Sequence, residues 1–327
     1  MDDEIFALAT RLKPVVSEAM GSDVDIFSLT RLSGGASRET WRCTATTRGE
    51  DTDLILQRGR VVTAGAGGSS AGMHAEGIVL RAVEAAGVPV AHAYAFDGGV
   101  EKLGAPFLLT SFVAGETIAR KIQRDAVYAP ARDVLVADLG AAAAKLHSVP
   151  LDAVAHLNVV DQVEQYRMVL DALGHAHPAF ELGFRFLESN RPTASATALV
   201  HGDFRLGNII VGSTALAAVI DWELAHLGDP MEDLGWLCVR AWRFGGRLPV
   251  AGLGTYRELF DAYEQAGGAK VDPEGVRWWE ILGTLKWGIM CIMQANAHLS
   301  GLSRSVELAA IGRRVCENEY DLLALLS

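Results

Sequence analysis

Residues 199–223, LVHGDFRLGNIIVGSTALAAVIDWE, limit what this chain can fold into more than any other stretch. Segments 208–211 and 216–221 are short apolar runs around a Gly-Ser-Thr turn, the pattern of a β-hairpin. In an antiparallel hairpin, residues equidistant from the turn lie opposite each other. Asn208 and Asp221 flank Ser213 and Thr214 almost symmetrically, so both project from the open end of the ribbon. Asp203 lies five residues before Asn208, in the loop feeding that end. Three oxygen-bearing side chains therefore converge where neither helix nor sheet requires them. Each alone also reads as a turn residue or a strand-end cap.

The hairpin, within a short β stretch over 198–221, interrupts a helical half. Helical patterns cover 130–147, 161–172, 178–190, 230–241, 253–266, 273–299 and 304–325. Before Ala114 and Gly115 the texture differs. Ile5, Phe6, Leu8, Leu12, Val15 and Val16 stand at helical spacing, and strand patterns follow at 25–32, 39–46 and 52–58. A small-residue loop over 59–72 leads to a helix at 73–86 and strands at 90–96 and 106–113. No fixed-period repeat is present. At 327 residues the chain is long enough for two packed lobes. The expectation is an α+β protein, with a strand-rich lobe carrying one helix over 1–113, a hinge near 113, and a mostly helical lobe over 114–327.

Charge excludes some functions. Twenty-nine Lys and Arg against forty Asp and Glu give a net charge of −11, which argues against a general nucleic-acid or anionic-membrane binder. A polyanionic ligand would need a local basic exception. Cys43, Cys238, Cys291 and Cys316 are widely spaced and read as reduced thiols of a cytoplasmic protein. MDDEIFALAT lacks the basic start and apolar run of a signal peptide, and 209–220 is too short to span a bilayer. The sequence carries no reading of oligomeric state.

Carboxylate and amide oxygens at one end of a ribbon suit Mg²⁺, which keeps waters and borrows phosphate oxygens. Asp203 and Asn208 also match the D-x-x-x-x-N catalytic loop of protein kinases. There the Asp accepts a hydroxyl proton, while the Asn and a second Asp hold metal. Arg205 would aim a permanent positive charge at the transferring phosphoryl group.

HGDFRLGNIIV…AVIDWELAHLGDPMEDLGWL resembles the aminoglycoside phosphotransferase and choline kinase-like family, especially its kinase-like domains fused to acyl-CoA dehydrogenases. The likeness is densest over 199–240, thinner over 31–117, and carries little motif in the last third. It implies a bilobal protein-kinase-like fold with an antiparallel-sheet N-lobe and ATP and Mg²⁺ between the lobes. By position Asp203 becomes the catalytic base beside Arg205, Asn208 and Asp221 the metal ligands, and His201 a packing residue. Gly34 and Gly35 in LSGGASRETW are fit to cover phosphates, though Ser-Gly-Gly is also an ordinary hairpin turn. Glu76 occupies the place of the glutamate that anchors a phosphate-binding lysine, or is a helix-dipole residue. Ser111 and Val113 bound the segment expected to pair with adenine.

One departure stands out. DLILQRGR has no lysine where kinases carry one; Gln57 or Arg58 stands there, and strand parity puts them on opposite faces. If Gln57 faces the nucleotide, Mg²⁺ and Arg205 must carry more of the phosphate charge, or the chain is a pseudokinase that binds nucleotide or metabolite without transfer.

Asp229, Pro230 and Glu232 read as a helix start. Asp233 either braces the catalytic loop or stabilises that first turn, and Glu223 reads as a solvated turn rather than a ligand. Arg240 and Arg243 share a helix face if the helix continues, either drawing an anionic acceptor or merely ending a solvated helix. Trp278, Trp279, Trp287, Met290 and Met293 are core or the apolar wall of an acceptor pocket. Gly68-Ser69-Ser70-Ala71-Gly72 and Gly65-Ala66-Gly67 imitate a hydrolase elbow and a dinucleotide loop without their context. The resulting expectation is ATP-dependent, Mg-assisted phosphoryl transfer to a hydroxyl of a small acceptor, anionic or acyl-bearing rather than an aminoglycoside.

Overall fold

The computed structural model describes residues 3–32, 38–59, 72–193 and 196–327. Gly34 and Gly35, the Gly65-Ala66-Gly67 decoy and residues 68–71 of the other lie outside the described residues, whereas its Gly72 begins a helix.

Helix α1 (Asp3–Met20) turns Leu8, Leu12, Val15 and Val16 to one buried face, as their spacing dictates. Strands β1 (Asp25–Leu32), β2 (Arg38–Thr47) and β3 (Glu50–Gly59) form a meander. Helix α2 (Gly72–Ala85) follows, and β4 (Ala93–Asp97) and β5 (Phe107–Ser111) complete an antiparallel sheet in the order β1-β2-β3-β5-β4. The period of two splits this sheet cleanly. Trp41, Cys43, Leu54, Leu56, Phe107 and Leu109 face α1 and form one core. Thr40, Ile55, Gln57, Leu108 and Thr110 face the other way and line a cleft. The first lobe thus has two helices, α1 on its outer face and α2 on the cleft side.

The second lobe continues with α3 (Ala119–Arg124), α4 (Ala129–His147), α5 (Gln162–Leu173) and α6 (Pro178–Ser189). Four short strands come next: β6 (Ala198–Val200), β7 (Ile209–Val211), β8 (Leu216–Val219) and β9 (His226–Gly228). The chain ends with α7 (Met231–Cys238), α8 (Tyr256–Gln265), α9 (Pro273–Leu299), α10 (Val306–Ile311) and α11 (Val315–Leu326). The expected hairpin is β7–β8; a second ribbon, β6–β9, brackets it. The helix expected over 304–325 breaks at a 3₁₀ turn, Gly312–Arg314. Helix α7 stops at Cys238, and Arg240–Arg243 form a separate 3₁₀ turn.

Val79, Leu80 and Val83 of α2 join Leu139, Leu146, Leu206, Val211 and Val219 in one core running through both lobes. Cys43, Cys238 and Cys291 are buried, Cys316 is exposed, and all four are free thiols. No described helix is long and apolar enough to cross a membrane.

Candidate active site

After β6 the chain turns through His201, Gly202 and Asp203. Gly202 has φ +77°, and a Cβ there would stand 2.5 Å from the Leu224 carbonyl oxygen, so only glycine fits. Asp233, wholly buried in the first turn of α7, accepts from His201 N at 2.8 Å and Gly202 N at 3.0 Å. Burial alone would raise its carboxyl, but His147, 3.2 Å away, and the backbone donors hold it below the usual range. Asp233 therefore braces the loop from beneath. Lys286 of α9 grips the other side, donating to the Gly202 carbonyl and to Gln162 Oε1 at 3.1 Å each.

His201 ties the loop to the hairpin. Its Nδ1 accepts from Asp203 N at 3.2 Å, so the proton sits on Nε2, which donates to the Ile220 carbonyl at 3.0 Å. Both ring nitrogens are engaged by backbone, and the ring packs on Trp222 with centroids 4.5 Å apart.

Asp203 is clamped by three donors. Arg205 Nε at 2.9 Å and Trp236 Nε1 at 2.8 Å reach Oδ1, while Asn208 Nδ2 reaches Oδ2. Asn208 Nδ2 also donates to the Asp203 carbonyl at 3.0 Å, which leaves Asn208 Oδ1 as its atom for a cation. A register shift in β7–β8 puts Asn208 opposite Ile220 rather than Asp221; Ile220 N donates to the Asn208 carbonyl at 3.0 Å. Asp221, one residue on, adopts φ +68°, a left-handed conformation costing about 1–3 kcal/mol for a residue with a side chain.

The cleft between sheet and hairpin has a volume of about 390 Å³ and is lined by Gln57, Glu76, Ser111, Val113, Asp221 and Glu223, among others. At the linking segment, no hydrogen bond among the described residues engages the Val113 N–H. Gln57, not Arg58, faces the cleft. Arg58 points to the α1 side of the sheet, where Nη1 meets Glu39 at 3.3 Å and Nη2 donates to the Leu103 carbonyl at 2.9 Å; strand parity removes it from any nucleotide. Glu76 is buried and its partner is Arg38 of β2, with Nη1 3.0 Å from Oε1 and 2.7 Å from Oε2. Arg38 Nη2 also meets Glu223 at 3.1 Å, so Glu223 is no solvated turn residue. Arg38 was not singled out from the sequence.

Other expected residues are placed differently. Arg243 donates to the Cys238 carbonyl at 2.9 Å and to buried Glu280 at 3.0 Å, and Arg240 pairs with Asp321 at 3.4 Å. Both leave α7 on a tight turn; Arg243 spends its charge on internal partners, while Arg240 stays exposed. Asp229 accepts from Met231 N at 2.9 Å, whereas Glu232 is buried and joined to Gln162 and His226 rather than capping the helix. Trp278 is core, donating to the Leu187 carbonyl. Trp287 is core as well, in a separate buried cluster where it meets Trp242, and Trp242 meets Trp236, in tilted pairs with centroids 4.8 and 5.3 Å apart. Arg205 lies over Trp242 at 4.6 Å, so this buried cluster backs the Asp203 loop. Asp233 and Trp236 lie three apart on α7, a spacing that could have revealed that both serve the loop.

Among the described residues no three or more His, Cys, Asp and Glu side chains form a self-sufficient metal cage. Asn208 Oδ1 and the Asp221 carboxylate offer two protein oxygens, the partial shell magnesium takes when phosphates and waters complete it. Glu223, near Asp221 and Asp203, is pushed up by burial and then by those like charges. Such excess negative charge fits a divalent cation.

Residues 28–279 match the phosphotransferase enzyme family. Mouse acyl-CoA dehydrogenase family member 10 is 29% identical over 216 residues, covering 57% of this chain and 19% of that protein. The chain thus spans about a fifth of that relative's length. Among solved structures, a Ralstonia eutropha protein assigned to the aminoglycoside phosphotransferases superposes with a TM-score of 0.75 at 21% identity, covering 97% of both chains. A spectinomycin phosphotransferase in complex with ADP and spectinomycin gives 0.65 at 13% identity over 97% of this chain and 98% of the other. The shared architecture is the bilobal protein-kinase-like fold.

Proposed function

Because this chain belongs to the phosphotransferase enzyme family, we propose that it is a small-molecule kinase moving the terminal phosphoryl group of ATP onto an acceptor hydroxyl. The observation that carries this reading is the clamp on Asp203, whose carboxylate is fixed by Arg205, Asn208 and Trp236 beside a cleft lined by Asp221. Asp203 orients the hydroxyl and takes its proton as the oxygen bonds to phosphorus and the bond to the departing ADP oxygen breaks. Arg205 steadies the charge on the phosphoryl oxygens. Asn208 Oδ1 and Asp221 would hold Mg²⁺, which neutralises phosphate charge when bound. The free Val113 N–H suits adenine, with residues 1–113 as the nucleotide lobe and 114–327 as the catalytic and acceptor lobe. The ADP complex of the spectinomycin phosphotransferase supports a nucleotide in this cleft.

With Arg243 bonded to Glu280, Arg240 is the exposed cation of that pair left to draw an anionic acceptor. Asp203→Asn should lose phosphoryl transfer by several orders of magnitude while keeping fold and nucleotide binding. Acceptors are screened by mass spectrometry for the gain of one phosphoryl group; wild-type turnover by the variant would refute the base assignment. Gln57 in the cleft favours the rival reading, a pseudokinase, and nucleotide binding by wild type without transfer to any acceptor would establish it.

A further inference from the structure

The cleft has a charge problem that the missing strand lysine makes acute. Glu76, Asp221 and Glu223 all line it, and Asp203 stands close behind. A nucleotide would bring more negative charge to the same place. Among the described lining residues, Arg38 is the only lysine or arginine.

We propose that Arg38 is the phosphate-binding cation of this cleft, presented from β2 in place of the lysine that β3 lacks. The register supplies the geometry. Thr40 of β2 lies opposite Gln57 of β3, so Arg38 is the diagonal neighbour of Gln57 on the same face. Diagonal positions are about 7–8 Å apart, a gap that a long arginine side chain spans. Glu76, the α2 carboxylate that would anchor a β3 lysine, is already bonded to Arg38 Nη1 at 3.0 Å. The Arg38 side chain is only 12% exposed, so its charge is little screened. A guanidinium carries five N–H donors in a rigid fork. Glu76 and Glu223 engage Nη1 and Nη2, and the remaining donors suit phosphate oxygens. The same cation closes the cleft electrostatically, because Glu223 follows Asp221 by two residues and Glu76 sits on α2. This inference rests on the reading of the cleft as a nucleotide site.

Calorimetric titration with adenosine, ADP and ATP, each with Mg²⁺, separates a phosphate contact from a structural one. Arg38→Lys keeps the charge but loses the fork. Arg38→Met is made together with Glu76→Gln, so that the more deeply buried of its two carboxylate partners is not left without a counter-charge. The double variant should bind MgATP about 10- to 100-fold more weakly, as expected for lost charged hydrogen bonds, with adenosine unchanged. Arg38→Lys should fall between, and Gln57→Lys added to the double variant should recover at least part of the ATP affinity. If the wild type binds MgATP and the variants keep its preference for ATP over adenosine, the inference is overturned alone. A wild type that takes up no nucleotide overturns the cleft assignment and this inference together.

Discussion

Glu76 is the residue at which solution conditions act most directly on the site. Burial, opposed by Arg38 and reinforced by Asp221 and Glu223, pushes its carboxyl up to about 7. Its folded value therefore lies above the usual carboxylate value of 4.5, so the native state binds more protons than the unfolded chain in between. This contribution to stability is fully present below pH 4.5 and is lost as pH rises to about 7. Urea midpoints taken from pH 5 to 8 should fall more steeply for the wild type than for Glu76→Gln, which has no proton to lose; parallel profiles would reject the assignment. At this scale the sequence was legible where covalent spacing sets the geometry. Asp203, Asn208 and Asp221 sit in one segment, and a hairpin with a loop leaves them little freedom. Arg38 was illegible because its partners are on α2 and beyond β8. Parity separated Gln57 from Arg58, but Leu54, Ile55 and Leu56 make both faces of β3 apolar, so the pattern alone did not say which face meets the cleft.

Helix α7 shows why elements were read unevenly. Its eight residues, Met231–Cys238, are all buried, so no apolar stripe marks where it ends, and the expectation ran on to 241. Helices with one packed face, such as α6, were found within a residue or two, whereas β6 and β9, three residues each, give no periodic signal. The buried position of α7 has an energetic consequence. Gly235 touches α9 so closely that a Cβ would lie 2.6 Å from the Trp279 Cβ, 2.8 Å from the Glu280 nitrogen and 2.8 Å from the Val276 oxygen. Two of these are backbone atoms of a long helix and cannot swing aside. Gly235→Ala should cost about 1–3 kcal/mol in chemical denaturation. Because Asp233 and Trp236 flank it, displacement of α7 should also lower the transfer rate; an unchanged midpoint would show that the two helices separate freely.

The whole molecule is arranged to put charge between two lobes that share a core. The α1 side of the sheet has its own apolar cluster, while α2 and Leu108 belong to the core of the second lobe, so the cleft is bounded by elements that unfold with the body of the protein. A ligand gripped there stabilises the fold by mass action, about 2.7 kcal/mol at a hundredfold excess over its Kd. For a chain of 327 residues that corresponds to a rise in Tm of about 4 °C. Metal-free ATP meets Glu76, Asp221, Glu223 and Asp203 with the Arg38 and Arg205 guanidiniums to offset them, so its phosphates should be largely repelled. On the proposed reading, MgATP would bring the missing positive charge to Asn208 and Asp221. Thermal unfolding should therefore rise clearly with MgATP and little with the same concentration of ATP in chelator. Asp221→Asn should shrink the gap between the two, since it removes a metal ligand and relieves the repulsion of bare phosphates at once. Equal shifts for ATP with and without magnesium would mean that the ribbon end holds no metal, and that the strained backbone at Asp221 serves some other purpose.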